Sequence, residues 1–180
     1  MSNYWRKRTF QESATEPDGL AKRGLVYLMS EFFTLPSSGS VYFALDTNGN
    51  EVEFQFYDIT SAQSLVRASL IEEPATVTQF NYLTPRNLNR KFPDAATASL
   101  SAASAVTGGT VIASELIGST AKSGGEVSSR KVHTLKDDTI YVMRFVNVDN
   151  QQSLMHINLG WSEKDPQPFR IVDPVDDATG

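Results

Sequence analysis

Short bursts of alternating apolar and polar residues, separated by Gly, Pro, Asn and Asp, run along the middle of this chain. A two-residue period belongs to half-buried β-strands, whose successive side chains point to opposite faces. Val41, Phe43 and Leu45 alternate with Tyr42, Ala44 and Asp46. After Asn48-Gly49 the pattern resumes as Val52, Phe54 and Phe56 against Glu51, Glu53 and Gln55. An Asn-Gly pair between two such runs predicts a β-hairpin, because both residues tolerate the positive φ of a type I′ turn. Ser61 to Glu73 fits helical and strand spacing alike, and its all-β surroundings favour a strand. The Ala/Ser/Thr/Gly-rich stretch from Ala95 to Gly109 predicts a strand around Thr97 to Ala102 and a turn at Gly108-Gly109. Thr110 to Ile117 is strand-like again, and Lys122 to Glu126 reads as a Ser-Gly loop. From Thr139 to Val148 neither face is polar throughout, which predicts a strand in the centre of a sheet. Leu154 to Trp161 is expected to pair with it as a hairpin across Asp149-Asn150-Gln151-Gln152.

About eight such strands predict an all-β domain of two packed antiparallel sheets, a β-sandwich of jelly-roll-like type. An immunoglobulin-like sandwich is another solution of the same pattern, and strand order is not legible in it. The 180 residues suit one such domain over residues 25–164. Residues 1–24 lack a sustained period and read as an N-terminal arm, with five Lys/Arg against three acids. Residues 165–180 read as an extended C-terminal tail, with three prolines and four acids against Arg170.

Composition narrows the chemistry. A hydrophobic content of 40% is enough for a real core. A net charge of −5 argues against nucleic acid as a partner, since such binding needs a positive footprint. The absence of cysteine removes disulfides, thiolate zinc sites and Cys nucleophiles. Arg6, Lys7 and Arg8 are followed by no apolar stretch of signal-peptide type. The longest apolar runs are too short to span a bilayer as a helix, so no membrane partner is expected.

No constellation of reactive groups stands out. His133 and His156 are the whole imidazole inventory, and no Gly-x-Ser-x-Gly elbow accompanies them. Asp46, Asn48 and Asn50 have the alternate spacing of a calcium loop, but glycine falls at the fourth position and Tyr57 occupies the place of the bidentate glutamate. Adjacent carboxylates at Glu72-Glu73 and Asp137-Asp138 would face opposite sides of a strand, unsuited to flanking one substrate bond. No enzyme, cofactor or metal is expected. Arg86, Asn87, Asn89 and Arg90 form a polar cluster; Arg86, Asn89 and Arg90 suit a subunit interface, where Arg forks pair with carboxylates and Asn satisfies turn backbone, and an arginine covering the edge of its own sandwich is the alternative. In the arm, Tyr4, Trp5 and Phe10 interleave with Arg6, Lys7 and Arg8, residue types enriched at protein interfaces.

The run Glu72 to Arg90 resembles a family of small structural proteins from tailed-bacteriophage particles. It carries Glu73-Pro74-Ala75-Thr76-Val77-Thr78 and then Asn87-Leu88-Asn89-Arg90; in the family a Glu-x-Pro-Thr-x-Thr stretch runs into an Asn-x-Asn-Arg element, and a Tyr-rich strand closes the domain. The resemblance extends over residues 25–163. It implies a virion structural protein of capsid-decoration or head-fibre type, assembled in the bacterial cytoplasm. The implied partners are the major capsid protein and further copies of itself, as a homotrimer. It also implies an arm suited to acidic outer capsid surfaces. A tail or neck component is the neighbouring reading. A carbohydrate-binding sandwich is the reading from another class, with Trp161 and Tyr141 as its candidate aromatic pair.

Overall fold

The computed structural model describes residues 25–91, 95–118, 125–129 and 133–164, the side chains of 55–57 and 125–129 excepted. The expected arm and tail, and with them Tyr4, Trp5, Arg6, Lys7, Arg8 and Phe10, lie outside the described residues. Among the described residues twelve strands follow one another: β1 (Val26–Leu35), β2 (Ser40–Asp46), β3 (Val52–Ser61), β4 (Val66–Glu72), β5 (Thr76–Leu83), β6 (Arg86–Asn87), β7 (Ser99–Thr107), β8 (Thr110–Ile117), β9 (Gly125–Ser129), β10 (His133–Leu135), β11 (Ile140–Asn147) and β12 (Ser153–Glu163). Among the described residues no helix is long and apolar enough to cross a membrane. The all-β expectation holds, and Ser61 to Glu73 resolves into a turn followed by β4. Gly125 and Glu126, expected in a loop, instead open β9.

Two antiparallel sheets form the sandwich. The first runs β10-β3-β12-β1-β6, with β9 continuing the edge that β10 begins along β3; the second runs β5-β7-β2-β11-β4-β8. The pairs β1–β12, β2–β11, β3–β9/β10 and β4–β8 join ever more central parts of the chain. This is a long hairpin wound over itself, the plan of a jelly roll. Strands β5 to β7 are inserted between β4 and β8. They lengthen the second sheet beyond β2 and cap the first sheet beyond β1.

Both expected hairpins are wrong, for one reason. β2 lies in the second sheet and β3 in the first; β11 lies in the second and β12 in the first. The Asn48-Gly49 turn itself forms as its residues dictate, with φ of 49° and 77° and Asn50 N–H bonded to Thr47 O at 3.0 Å. It reverses the chain from one sheet to the other instead of within one. Turn chemistry fixes a reversal, whereas the sheet that receives the next strand is chosen by which faces must be buried. The central-strand expectation for β11 holds, since β2 and β4 flank it.

Between the sheets, Phe43, Leu45, Leu100, Phe145 and Tyr141 meet Tyr27, Leu35, Phe54, Ile157, Leu159 and Trp161. A second, smaller cluster of Ala44, Ile71, Ala103 and Val142 lies on the opposite face of the second sheet, sealed by Tyr42, Val77, Val106 and Ile140. Its burial follows from the connections. β7 and β8 are joined by Gly108-Gly109 although β2, β11 and β4 lie between them. In a flat sheet that gap is four strand spacings, roughly 19 Å, while three residue steps reach only about 10 Å. The sheet therefore curls toward its outer face, and the paired ribbon β4–β5/β7–β8 bends across itself with Glu73 and Ala105 at positive φ. A Cβ on Gly109 would lie 2.6 Å from Ile71 Cγ2 and 2.8 Å from Glu72 O.

Two outcomes follow for urea-denaturation midpoints. Gly109→Ala meets both a φ of +84° and this crowding, and is expected to lose about 2–4 kcal/mol. Ser101 is fully buried beside the second cluster, and its Oγ has no hydrogen-bond partner among the described residues. Ser101→Ala should therefore be within about 0.5 kcal/mol of wild type or more stable.

Candidate interaction site

The short strand β6 exists because residues 86–88 leave the second sheet and lie against the start of β1. Arg86 stands opposite Leu28, Asn87 opposite Tyr27, and Leu88 N–H bonds Val26 O at 2.8 Å. Two Asx turns then hold the segment: Asn87 Oδ1 accepts from Asn89 N at 2.9 Å, and Asn89 Oδ1 accepts from Lys91 N at 3.1 Å. The asparagines thus serve the backbone. Arg86 and Arg90 are exposed and belong to none of the ion pairs among the described residues, which join Lys136 and Lys164 to glutamates. Of the three interface residues expected from sequence, Arg86 and Arg90 face one groove and Asn89 shapes the turn between them.

The groove has a volume of about 590 Å³. Leu28, Leu83 and Leu88 give it apolar walls, Ser30, Thr84 and Asn158 give it neutral polar ones, and Glu31 lines it together with the two arginines. β6 pairs with β1 only at Tyr27 and Leu28. From Met29 onward this edge of β1 has no strand partner among the described residues.

Beyond the groove, the outer face of the first sheet carries an aromatic that sequence reading missed. Phe32 is 64% exposed and stacks on the His156 ring at 4.2 Å between centroids. The signal was present: Phe32 shares its strand parity with Ser30 and Thr34, both outward. His156 Nε2 lies 2.8 Å from Ser30 Oγ. That spacing is the first requirement of a nucleophile–base pair, but a triad also needs a group orienting the other ring nitrogen. Among the described residues no such bond to His156 is found, and its ring is packed under Phe32.

Trp161 and Tyr141, expected as an exposed sugar platform, are buried to 0% and 1% exposure. Their polar atoms do internal work. Trp161 Nε1 donates to the buried Glu163 at 3.3 Å, and that carboxylate accepts from Thr97 N and Ala98 N at 2.9 and 3.0 Å. Tyr141 Oη donates to Glu72 Oε2 and accepts from Lys136 N, each at 2.9 Å. The calcium-like residues are also occupied: Asp46 Oδ1 accepts from Asn48 N at 3.0 Å, and Asn48 Nδ2 donates to Thr97 O at 2.8 Å. No group of three or more His, Cys, Asp or Glu suited to a metal ion occurs among the described residues.

Glu72 and Glu73 depart from strand alternation, because the positive φ of Glu73 turns both carboxylates onto one cation. Lys136 Nζ lies 2.8 Å from each. The hydrogen bond from Lys136, and then that from Tyr141, holds the Glu72 carboxyl below its usual value of 4.5. The same two glutamates raise the Lys136 ammonium above its ordinary range.

No family model matches the chain, and no curated protein does either. Among solved structures it is similar to a mitogen derived from Yersinia pseudotuberculosis, at 9% identity and a TM-score of 0.41, over 79% of this chain and 91% of that one. It is also similar to the decameric BFDV capsid protein, at 11% identity and a TM-score of 0.21, over 78% and 98% of the two chains. Neither likeness carries an argument about function.

The depressed Glu72 pKa fixes a pH dependence. Because the folded value lies below the unfolded one, the contribution is complete above about pH 4.5 and is lost as pH falls through the folded value. Glu72→Gln should therefore lower the urea midpoint at about pH 6, with the gap from wild type narrowing as pH falls below about 4.5. A constant gap across that range would contradict the assignment.

Proposed function

We propose that this chain is a virion structural protein of a tailed bacteriophage, a decoration or head-fibre-type subunit bound to the outer surface of the head. One observation of the fold supports a structural role most directly. Exposed apolar side chains gather on the two edge strands of the second sheet, Phe80 and Tyr82 on β5 and Val111, Ile112 and Leu116 on β8. Natural sheets protect their edges with Lys, Pro or inward charge. β5 carries no Lys, Pro or charged residue, and β8 carries neither Lys nor Pro, its one charge being Glu115, whose Oε2 is buried. Such edges suit a subunit that finishes its surface against neighbours. The Glu72 to Arg90 resemblance directs that general reading toward the phage head, with the major capsid protein and a trimer of the chain itself as partners.

Function in this reading is binding free energy: a subunit that attaches only to the assembled lattice stabilises it by mass action. The arm supplies Tyr4, Trp5 and Phe10 as anchors and Arg6, Lys7 and Arg8 as the charges meeting an acidic capsid surface.

A second reading, glycan binding, is favoured by Phe32, an exposed ring bordered by Ser30 and Asn158 in place of the buried Trp161. Glycan binding abolished by Phe32→Ala would move the function there.

Deletion of residues 1–20 should leave the sandwich folded and weaken attachment to purified heads more than tenfold, measured by co-sedimentation. Equal decoration by the truncated chain would remove the arm from the reading. Copy number by mass spectrometry of virions should reach hundreds per particle, and light scattering of the isolated protein should give the mass of three chains. A handful of copies would instead indicate a neck or tail position. Ester hydrolysis by the purified protein should equal that of a Ser30→Ala/His156→Ala variant. Turnover lost in that variant would establish an enzyme.

A further inference from the structure

We propose that the groove beside β6 is the docking site of this chain's own acidic C-terminal segment, residues 171–177. The inference is independent of the virion reading. The groove offers Arg86 and Arg90 without ion-pair partners among the described residues, and apolar walls at Leu28, Leu83 and Leu88. Residues 171–177, Ile-Val-Asp-Pro-Val-Asp-Asp, carry the matching chemistry, three apolar side chains and three carboxylates. Within residues 165–180, acids outnumber cations four to one. Arg forks bind carboxylates in paired, charge-assisted hydrogen bonds, and the aliphatic side chains would cover the leucines. Glu31 is the one acid among the described residues that line the groove, so there the two arginines leave a net positive charge for the tail to neutralise.

The reach fits as well. β12 ends beside the start of β1, where Glu163 N–H bonds Leu25 O at 3.0 Å. The groove lies along β1 from Leu28 to Glu31, one strand over. The path from Lys164 to its centre is therefore roughly 20–25 Å at strand spacings. Eight extended residues cover about 26 Å, which places Asp173, Asp176 and Asp177 at the arginines and leaves Asp165 behind. A prolyl residue at 174 favours an extended segment and needs no partner for its missing N–H.

Trypsin supplies the test, because Arg170 sits in the segment just before the docked residues. Release of residues 171–180 from the full-length protein is followed by mass spectrometry and compared with cleavage of a synthetic peptide of residues 163–180. The docked tail should be cut at least tenfold more slowly than the peptide. Arg86→Gln with Arg90→Gln should bring the rate to within about threefold of the peptide. Asp173→Asn, Asp176→Asn and Asp177→Asn together should do the same. Both sets combined should cleave no faster than either, the signature of groups that act through one contact. Raised salt should speed cleavage of wild type alone. Wild-type cleavage at the peptide's rate, or additive effects of the two sets, would overturn the proposal. Protection that fades on dilution would also overturn it, because the docked tail would then come from another copy. Should the arginine variant unfold, cleavage within β11 at Arg144 would reveal it, and the tail variant, which leaves the sandwich untouched, decides.

Discussion

The second sheet can close over its small outer core only because two chain segments cross where residue 109 has no Cβ. Ile71 Cγ2 and the carbonyl of Glu72 stand where a Cβ on Gly109 would be, and Pro74 is beside them. This contact lets a two-residue link connect strands that a flat sheet would hold roughly 19 Å apart. The curl then buries Ala44, Val142 and Ala103 on a face that would otherwise meet solvent. The small side chains at positions 44 and 103 are part of the same arrangement, since close approach leaves little room there. Glu73 is a further consequence: its left-handed backbone at the bend brings it beside Glu72 on Lys136.

A wound hairpin places its chain reversals at the two ends of the sandwich, where backbone groups leave the ladders and need other partners. At one end Asn147 donates to Pro36 O and Gln151 O, Asp149 accepts from Leu65 N, and Ser61 and Ser153 share a hydrogen bond. These bonds tie the β1–β2, β3–β4 and β11–β12 corners together. At the other end Glu163 gathers Thr97, Ala98, Asn50 and Trp161 around one buried carboxylate. Replacing that carboxylate by a hydrocarbon would leave the Ala98 N–H and the Trp161 Nε1–H buried without acceptors. The residues most polar by composition are therefore structural at these corners. The surface available for partners lies elsewhere, on the edges of the second sheet, the Phe32 face and the groove beside β6.

That division explains why residue type alone misplaced the sugar platform. Trp161 and Tyr141 have the rings of a binding surface, yet each side chain also has a polar atom that a buried carboxylate network can use. Phe32 has no such atom, sits among outward polar neighbours, and is left exposed on the first sheet. The Ser30–His156 contact is likewise a product of register, since β1 and β12 bring together residues 126 positions apart.

What the sequence determined by itself is local: strand existence, the reversal at Asn48-Gly49, the capping roles of Asn87 and Asn89, and the lack of cysteine chemistry. These rest on a two-residue period and on backbone preferences that act within a few residues. What only the tertiary structure decided is partnership. Whether β2 pairs with β3 or with β7 and β11 depends on which apolar faces can be buried together, a sum over the whole chain. The same holds for Arg86 and Arg90, whose spacing announces a polar cluster but not a groove. The groove exists because residues 83–88 must pass from the edge of one sheet to the edge of the other, and no local pattern carries that requirement.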